Sequence, residues 1–378
     1  MAIMQGGVNL SLLIGPVPVP APVEMVEALS SVRVDSGAAD AQSGFELTFD
    51  LPARSPLRTV FLLSGGTGVP PLMRVVLVVR FGGHAEPLID GMVTNVETLP
   101  GEGGIGKLVV KGKDMSALMD YVDLTGIPYP AMPPAARVLL VLAKYAALGV
   151  IPVVIPSLFE DLPLPVQRIA QHRGSDYDYV TRLAQQVGYV FYLEPGPVPG
   201  TSTAYWGPEI RVGEPQPALS VNMDSITNVE ELSFRFDKQS KEMPIVFFQE
   251  LLSKAPIGLL IPDISPLNPP LGLVPPLPPK TVRLNDTAHL SPLAAVMTGL
   301  AYAGQHSDSV FGDGRLDVAR YGRLLKSRRL VGVRGAGLPF DGLYYVKNVS
   351  HDIKRGEYKQ SFSLARNGLV STLPTVPV

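Results

Sequence analysis

One residue in five of this chain is glycine or proline, 37 and 38 of its 378 residues. Proline removes a backbone donor and fixes φ, and glycine weakens the interior of any regular element, so this density disfavours long helices. Many short strands joined by turns are expected instead. The length predicts two or three domains. Strands are predicted over Phe45–Leu51, Met73–Phe81, Gly91–Thr98 and Lys107–Lys113. Val75 to Val79 is continuously apolar, so that strand should be covered on both faces.

The middle of the chain changes character. Met115–Tyr121 follows Asp114, a good N-cap, and predicts a short helix. Pro134–Leu148 has Pro at its start and Gly149 just past its end, the expected asymmetry of helix termini. Ser175 with Asp178 forms a capping-box pattern, Gly188 supplies a left-handed stop, and Tyr189–Glu194 alternates as a strand. Residues 115–220 therefore predict an α/β unit between two β-rich regions, 1–114 and 221–378.

Strands resume at Val229–Phe236 and Met243–Phe248. Residues 256–279 interleave prolines with Leu, Ile and Val, which predicts an extended, polyproline-like arm. Two accounts of it are open: it lies against a partner, or it is a surface loop. Helices are predicted near Pro292–Ala303 and Leu316–Ser327. A hairpin should join Leu343–His351 to Glu357–Ala365 through Lys354-Arg355-Gly356.

The two β-rich regions resemble each other. Asp90-Gly91 leads to Asn95-Val96, a Gly-rich turn and the strand from Lys107; Asp341-Gly342 leads to Asn348-Val349, a turn at Gly356 and the strand from Tyr358. The spacings differ by two residues, which keeps side chains on the same faces. One chain would then carry two similar β-barrel modules.

Hydrophobic residues make up 46% and charged residues 17% of the chain. Such a balance fits apolar surface hidden in partners, or simply a large core. Lys plus Arg is 32 and Asp plus Glu 34, a net charge of −2, which provides no basic field for nucleic acid. The absence of cysteine excludes disulfides, thiol catalysis and cysteine-ligated metals. The amino terminus lacks a basic n-region, and no apolar run approaches the roughly 20 residues of a membrane span, so a soluble protein made in the cytoplasm is expected.

Few segments invite a chemical role. Gly101 to Lys107 fits G-x-x-x-x-G-K, but Leu108 replaces the Ser or Thr that a phosphate loop needs and the context is a strand, so a hairpin turn is predicted. The five histidines have no ligand spacing, and no nucleophile elbow or paired carboxylates stand out, so no catalytic residue, metal or cofactor is assigned. Arg320, Arg323, Arg328, Arg329 and Arg334, with Lys326, form one basic cluster. It either complements a helix dipole or pairs with carboxylates of an adjacent subunit.

The run SDYDYVTRLAQQVGYVFYL from Ser175, including Asp176 and Gly188, resembles the helix–strand signature of phage late-control protein D and of the hub portion of type VI secretion spike proteins. The run from Tyr321 to Leu369, with Arg334, Gly335, Gly337, Asp341, Gly342, Tyr344, Arg366, Asn367 and Gly368, resembles the carboxy-terminal hub segment of contractile phages and injection systems. The segment from Asp90-Gly91 to Asp114 is similar to the first-barrel strands of the same proteins. The resemblance implies a mainly β protein with an α/β insertion, whose two tail-tube-like barrels per chain build a pseudo-hexameric ring in a homotrimer. It implies a structural baseplate hub between the sixfold tube and the threefold spike, in a virion tail or injection particle. Its partners would be itself, a tube or tube-initiator protein above, a separate spike protein below and baseplate wedge proteins. Fused spike proteins continue far beyond the Arg-Asn-Gly segment, whereas ten residues follow Gly368 here, which is why the spike is expected as another chain. A tube-initiator or distal-tail ring protein of the same barrel lineage is the alternative, and a cell-wall hydrolase a more distant one.

Overall fold

A computed structural model describes residues 2–3, 8–37, 42–52, 55, 61, 73–100, 105–157, 169–249, 255–262, 268–277, 279–285, 287 and 292–373. The described chain is mainly β. Five strands form a first module: β1 (Leu29–Ser36), β2 (Gly44–Pro52), β3 (Arg74–Phe81), β4 (His84–Leu99) and β5 (Ile105–Asp114). Five more form a second: β6 (Glu231–Phe236), β7 (Val310–Asp317), β8 (Leu330–Arg334), β9 (Gly342–Lys354) and β10 (Glu357–Arg366). The first sheet runs β3-β4-β5-β2-β1 and the second β8-β9-β10-β7-β6, antiparallel throughout. In order of appearance both read 3-4-5-2-1.

A shared defect fixes the equivalence residue by residue. In the β4–β5 ladder the register skips Thr94, between Val93 and Asn95; in the β9–β10 ladder it skips Lys347, between Val346 and Asn348. A one-residue bulge at the same place in two ladders marks a retained feature, because bulges bend and re-aim strands. Counted from the bulges, Asp90-Gly91 and Asp341-Gly342 stand two residues apart, the offset seen in the sequence. Matching registers then align Val32 with Leu232, Val34 with Phe234, Phe45 with Gly312, Leu47 with Gly314 and Val110 with Phe362.

The glycines in this alignment make room for rings. A Cβ on Gly112 would strike the Phe45 ring, one on Gly312 would lie 2.8 Å from the Phe234 ring, and one on Gly314 2.5 Å from the Phe362 ring. Each ring therefore crosses its own strand's neighbour and fills the gap left by a missing side chain.

The sequence predicts the two modules as β-barrels. Among the described residues no set of strands closes into a ring; one open ladder runs from Ala2–Ile3 through both modules to β6. The second edge of β1 is taken by β9, with Val34 opposite His351 and Arg33 opposite Asp352. One apolar core accordingly spans both modules, from Leu47 and Val75 to Tyr344 and Phe362. On the opposite, polar face, directly opposed residues alternate in charge across the joint: Lys111, Glu46, Arg33, Asp352, Lys359 and Asp317. Opposite charges across a ladder stabilise it and like charges would not.

Residues 115–206 build a second core around Trp206, Phe191, Tyr179, Val138 and Leu142. A 3-10 turn over Met115–Asp120 starts on Asp114, whose side chain accepts from the Ser116 N–H. The helix from Pro134 stops at Ala143, shorter than predicted; a 3-10 turn (Ala146–Leu148) and left-handed Gly149 (φ 83°) follow. The chain must turn there, because Val150 pairs in parallel with Ser202. The helix Asp176–Gln186 is capped by Ser175, whose Oγ accepts from the Asp178 N–H at 3.1 Å.

Three other expectations change. The helix predicted over Leu316–Ser327 shrinks to Val318–Tyr321, because Leu316 and Asp317 belong to β7 and Gly322 turns left-handed (φ 79°). The Pro-rich segment is not one continuous polyproline-like arm. Pro256–Leu260 pairs with Glu242–Gln249, and Gly272–Val274 pairs with Leu369–Ser371, both as short edge strands that tolerate missing donors. Residues 263–267 and the predicted turn at Gly101–Gly104 lie outside the described residues. The helix predicted near Pro292–Ala303 extends over Pro292–Gln305. No helix among the described residues is long and apolar enough to cross a membrane.

Candidate assembly site

The residues singled out in the sequence fall into three places. At the carboxy-terminal end Arg366, fully buried, donates to the carbonyls of Asp341 (2.9 Å) and Pro339 (2.7 Å) and lies 4.4 Å from the Tyr344 ring centroid. Gly342 and Gly368 are the close approaches of this clasp: a Cβ on Gly342 would strike Ser371, and one on Gly368 would lie 2.8 Å from the Val274 carbonyl. Asn367 accepts from the N–H groups of Leu271 (2.9 Å) and Gly272 (3.1 Å), pinning the Pro-rich segment. Gly335 and Gly337 are left-handed (φ 82° and 94°); the Asp341 carboxylate accepts from Ala336 N–H, and the Arg334 carbonyl accepts from Val221 N–H.

The second place joins the first module to the insertion. Asp90 receives a bidentate pair from Arg74 at 2.6 and 2.7 Å, with both side chains buried. The same guanidinium donates to the carbonyls of Leu148 (2.9 Å) and Gly200 (2.7 Å). Gly91 lies against the Lys113 carbonyl, where a Cβ would collide. Asp176 accepts from Lys144 (2.9 Å) and Tyr145 (2.7 Å), Ser175 donates to Asp120 (2.7 Å), and Gly188 (φ 71°) abuts Ala301.

The third is the basic cluster, which the structure splits. Arg320, Arg323 and Arg329 are exposed, and only Arg320 stands in the last turn of its short helix. Arg328 is buried and serves its own chain: it lies 3.3 Å from Glu194 and 3.9 Å from the Tyr192 ring centroid and donates to the Gly37 carbonyl. Of the two accounts of the cluster, a helix dipole or a neighbouring subunit, the contacts of Arg328 fit neither directly; its backbone is left-handed (φ 59°). Lys326 pairs with Glu86 at 2.6 Å.

Arg328, Asp90, Asp114, Glu194 and His351 line a cavity of about 340 Å³ where the modules and the insertion meet. Burial pushes His351 down to about 4 against the pull of Asp35, and its Nδ1 lies 2.8 Å from the Tyr358 hydroxyl. The unfolded chain binds that proton near pH 6.5, so the unfolded state carries more protons between pH 6.5 and 4 and stability falls as pH falls through that window. The loss should be on the order of 3 kcal/mol. Urea midpoints measured from pH 7 to 4 should fall less steeply for His351→Gln than for the parent chain.

Two groupings had no signature in the sequence. Arg74 opens a strand that otherwise reads as plain core. Asp308, buried, receives Arg211 at 2.5 and 2.9 Å and Lys347 at 2.9 Å, and Lys347 is the bulged residue of β9. Burial pushes the Asp308 carboxyl up, and the two cations outweigh it and hold it well below the usual range. Among the described residues no three His, Asp or Glu side chains gather as a metal site.

The same architecture recurs in solved structures. A tail protein from Neisseria meningitidis superposes with a TM-score of 0.63 at 14% identity, over 96% of this chain and 98% of that one. A 43 kDa tail protein of a Shewanella oneidensis prophage gives 0.62 at 13%, over 95% and 98%. This chain has the fold of tail proteins. An Escherichia coli component of the type VI secretion system, itself described as similar to T4 bacteriophage tail proteins, gives 0.55 at 10%, over 98% and 81%. No family model and no curated protein matches the sequence.

Proposed function

We propose that the chain is a structural baseplate hub, a non-catalytic ring subunit joining a sixfold tail tube to a threefold spike. The observation that carries this is two five-stranded modules of one strand order, each with the same bulge, inside a single chain. Three copies would present six similar modules, matching a sixfold neighbour on one side and a threefold neighbour on the other. The near full-length likeness to two tail proteins supports the same role. The three-part division into residues 1–114, 115–220 and 221–378, the homotrimer, and the tube, spike and wedge partners in a virion tail or injection particle all belong to this reading. So do the structural roles of the signature residues clasped by Arg366 and Arg74.

Native mass spectrometry is expected to give a species of three chains. A stable hexamer would sink the hub and favour a tube-initiator or distal-tail ring. Peptidoglycan cleavage by the purified chain, abolished by one acidic substitution, would revive the hydrolase.

A further inference from the structure

Among the described residues the duplication leaves two stretches of edge unpaired, one along β6 at the end of the ladder and one along the distal overhang of β4. In the first module β1 is covered by β9, along Val349–Lys354. Its counterpart β6 pairs only with β7 among the described residues, so its outer edge is free. The counterpart of the covering segment lies within the distal part of β4, Asn95–Leu99, which among the described residues pairs only with β5. A free, regular edge is a template for another strand. Burial agrees: Val32 and Val34 of β1 are 2% and 0% exposed and Val349 is 1% exposed, whereas Leu232, Phe234, Phe236 and Val96 remain half-buried.

We propose that β6 of one copy pairs antiparallel with Asn95–Leu99 of the next, reproducing between chains the β1–β9 junction within the chain. The junction dictates the register. Ser36, Asp35 and Val34 oppose Val349, Ser350 and His351. Transferred through the equivalences above, Phe236, Arg235 and Phe234 oppose Val96, Glu97 and Thr98. The transfer uses only backbone registers, yet it sets the Arg235 guanidinium against the Glu97 carboxylate. That extends the alternation of charge already present on the polar face. Both are available: Glu97 is 41% exposed, with Lys111 on its inner side at 3.2 Å, and Arg235 lies over the Phe311 ring with its end in solvent.

The contact is head-to-tail, so repetition closes a ring when the turn per copy permits. It rests on the ring-subunit reading and names the surface that builds the ring. It also identifies what covers the half-buried apolar row of β6, namely Val96 and its neighbours on a second copy.

The chain has no cysteine, so introduced thiols report cleanly. The variant E97C/R235C, treated with a short bismaleimide, should give covalent species up to a closed ring, while R235C alone should stay monomeric on a denaturing gel. E97R or R235E should raise the concentration for half-assembly by roughly tenfold, and E97R/R235E should restore it. Far-UV circular dichroism checks that these exposed-site variants fold. A parent chain that assembles while E97C/R235C stays unlinked overturns this pairing and leaves the ring reading standing. A parent chain monomeric at every concentration overturns both. Linkage of R235C alone shows symmetric edge-to-edge pairing and overturns the proposal.

Discussion

Replacing Asp308 with alanine is expected to cost about 3–5 kcal/mol, because it strands the buried Arg211 guanidinium. Arg211 keeps Glu209, 2.9 Å away, and the Tyr345 ring, 4.9 Å from its guanidinium carbon. Glu209 is partly exposed, though, and cannot replace a carboxylate that is itself buried. Lys347 also loses its partner, and with it the contact that holds the bulge side chain inward. Chemical denaturation gives the measurement. The double variant Arg211→Met, Asp308→Leu should recover a large part of the loss, since two apolar groups leave no unpaired charge. A single-variant loss under 1 kcal/mol would mean that water reaches the pair.

Replacing Arg366 with methionine should cost about 3 kcal/mol, for a different reason. Methionine fills much of the space, so the loss comes from the Asp341 and Pro339 carbonyls, which lose their donors inside the protein. The stacking on Tyr344 goes as well. Arg366 precedes Asn367, so amide exchange at Leu271 and Gly272 should quicken in this variant beyond what its global stability explains. Unchanged exchange at those two amides would separate the clasp from the Pro-rich segment.

Strands and turns were legible because their signals are local. The closing hairpin appears as predicted, β9 to β10 through Arg355-Gly356, with Gly356 left-handed at φ 80°. Ser175 and Gly188 bound their helix as their side-chain and backbone chemistry requires. The failures came where distant partners decided. Leu316 and Asp317 suit a helix start, yet Gln360 and Lys359 opposite them fix both in a strand. Prolines between 256 and 279 predict an extended arm but not what it lies against, and Asn367, about a hundred residues away, supplies the acceptor that docks Leu271 and Gly272 of it. The duplication was visible through Asp-Gly pairs that prove not to be in register. The bulges that do correspond, at Thr94 and Lys347, share no residue type.

That last difference has a counterpart in the packing. In the first module a row across three strands reads Val34, Phe45, Gly112; the matching row in the second reads Phe234, Gly312, Leu364. The next row reads Val32, Leu47, Val110 against Leu232, Gly314, Phe362. The bulky side chain has moved to a neighbouring strand while each row keeps nearly the same total volume. Drift in such a sheet is correlated sideways: a ring lost from one strand must be regained on the strand beside it. Two halves of one strand order can therefore differ at nearly every position while their layers stay interchangeable in thickness. A chimera exchanging single strands between them would place two rings, or two glycines, face to face.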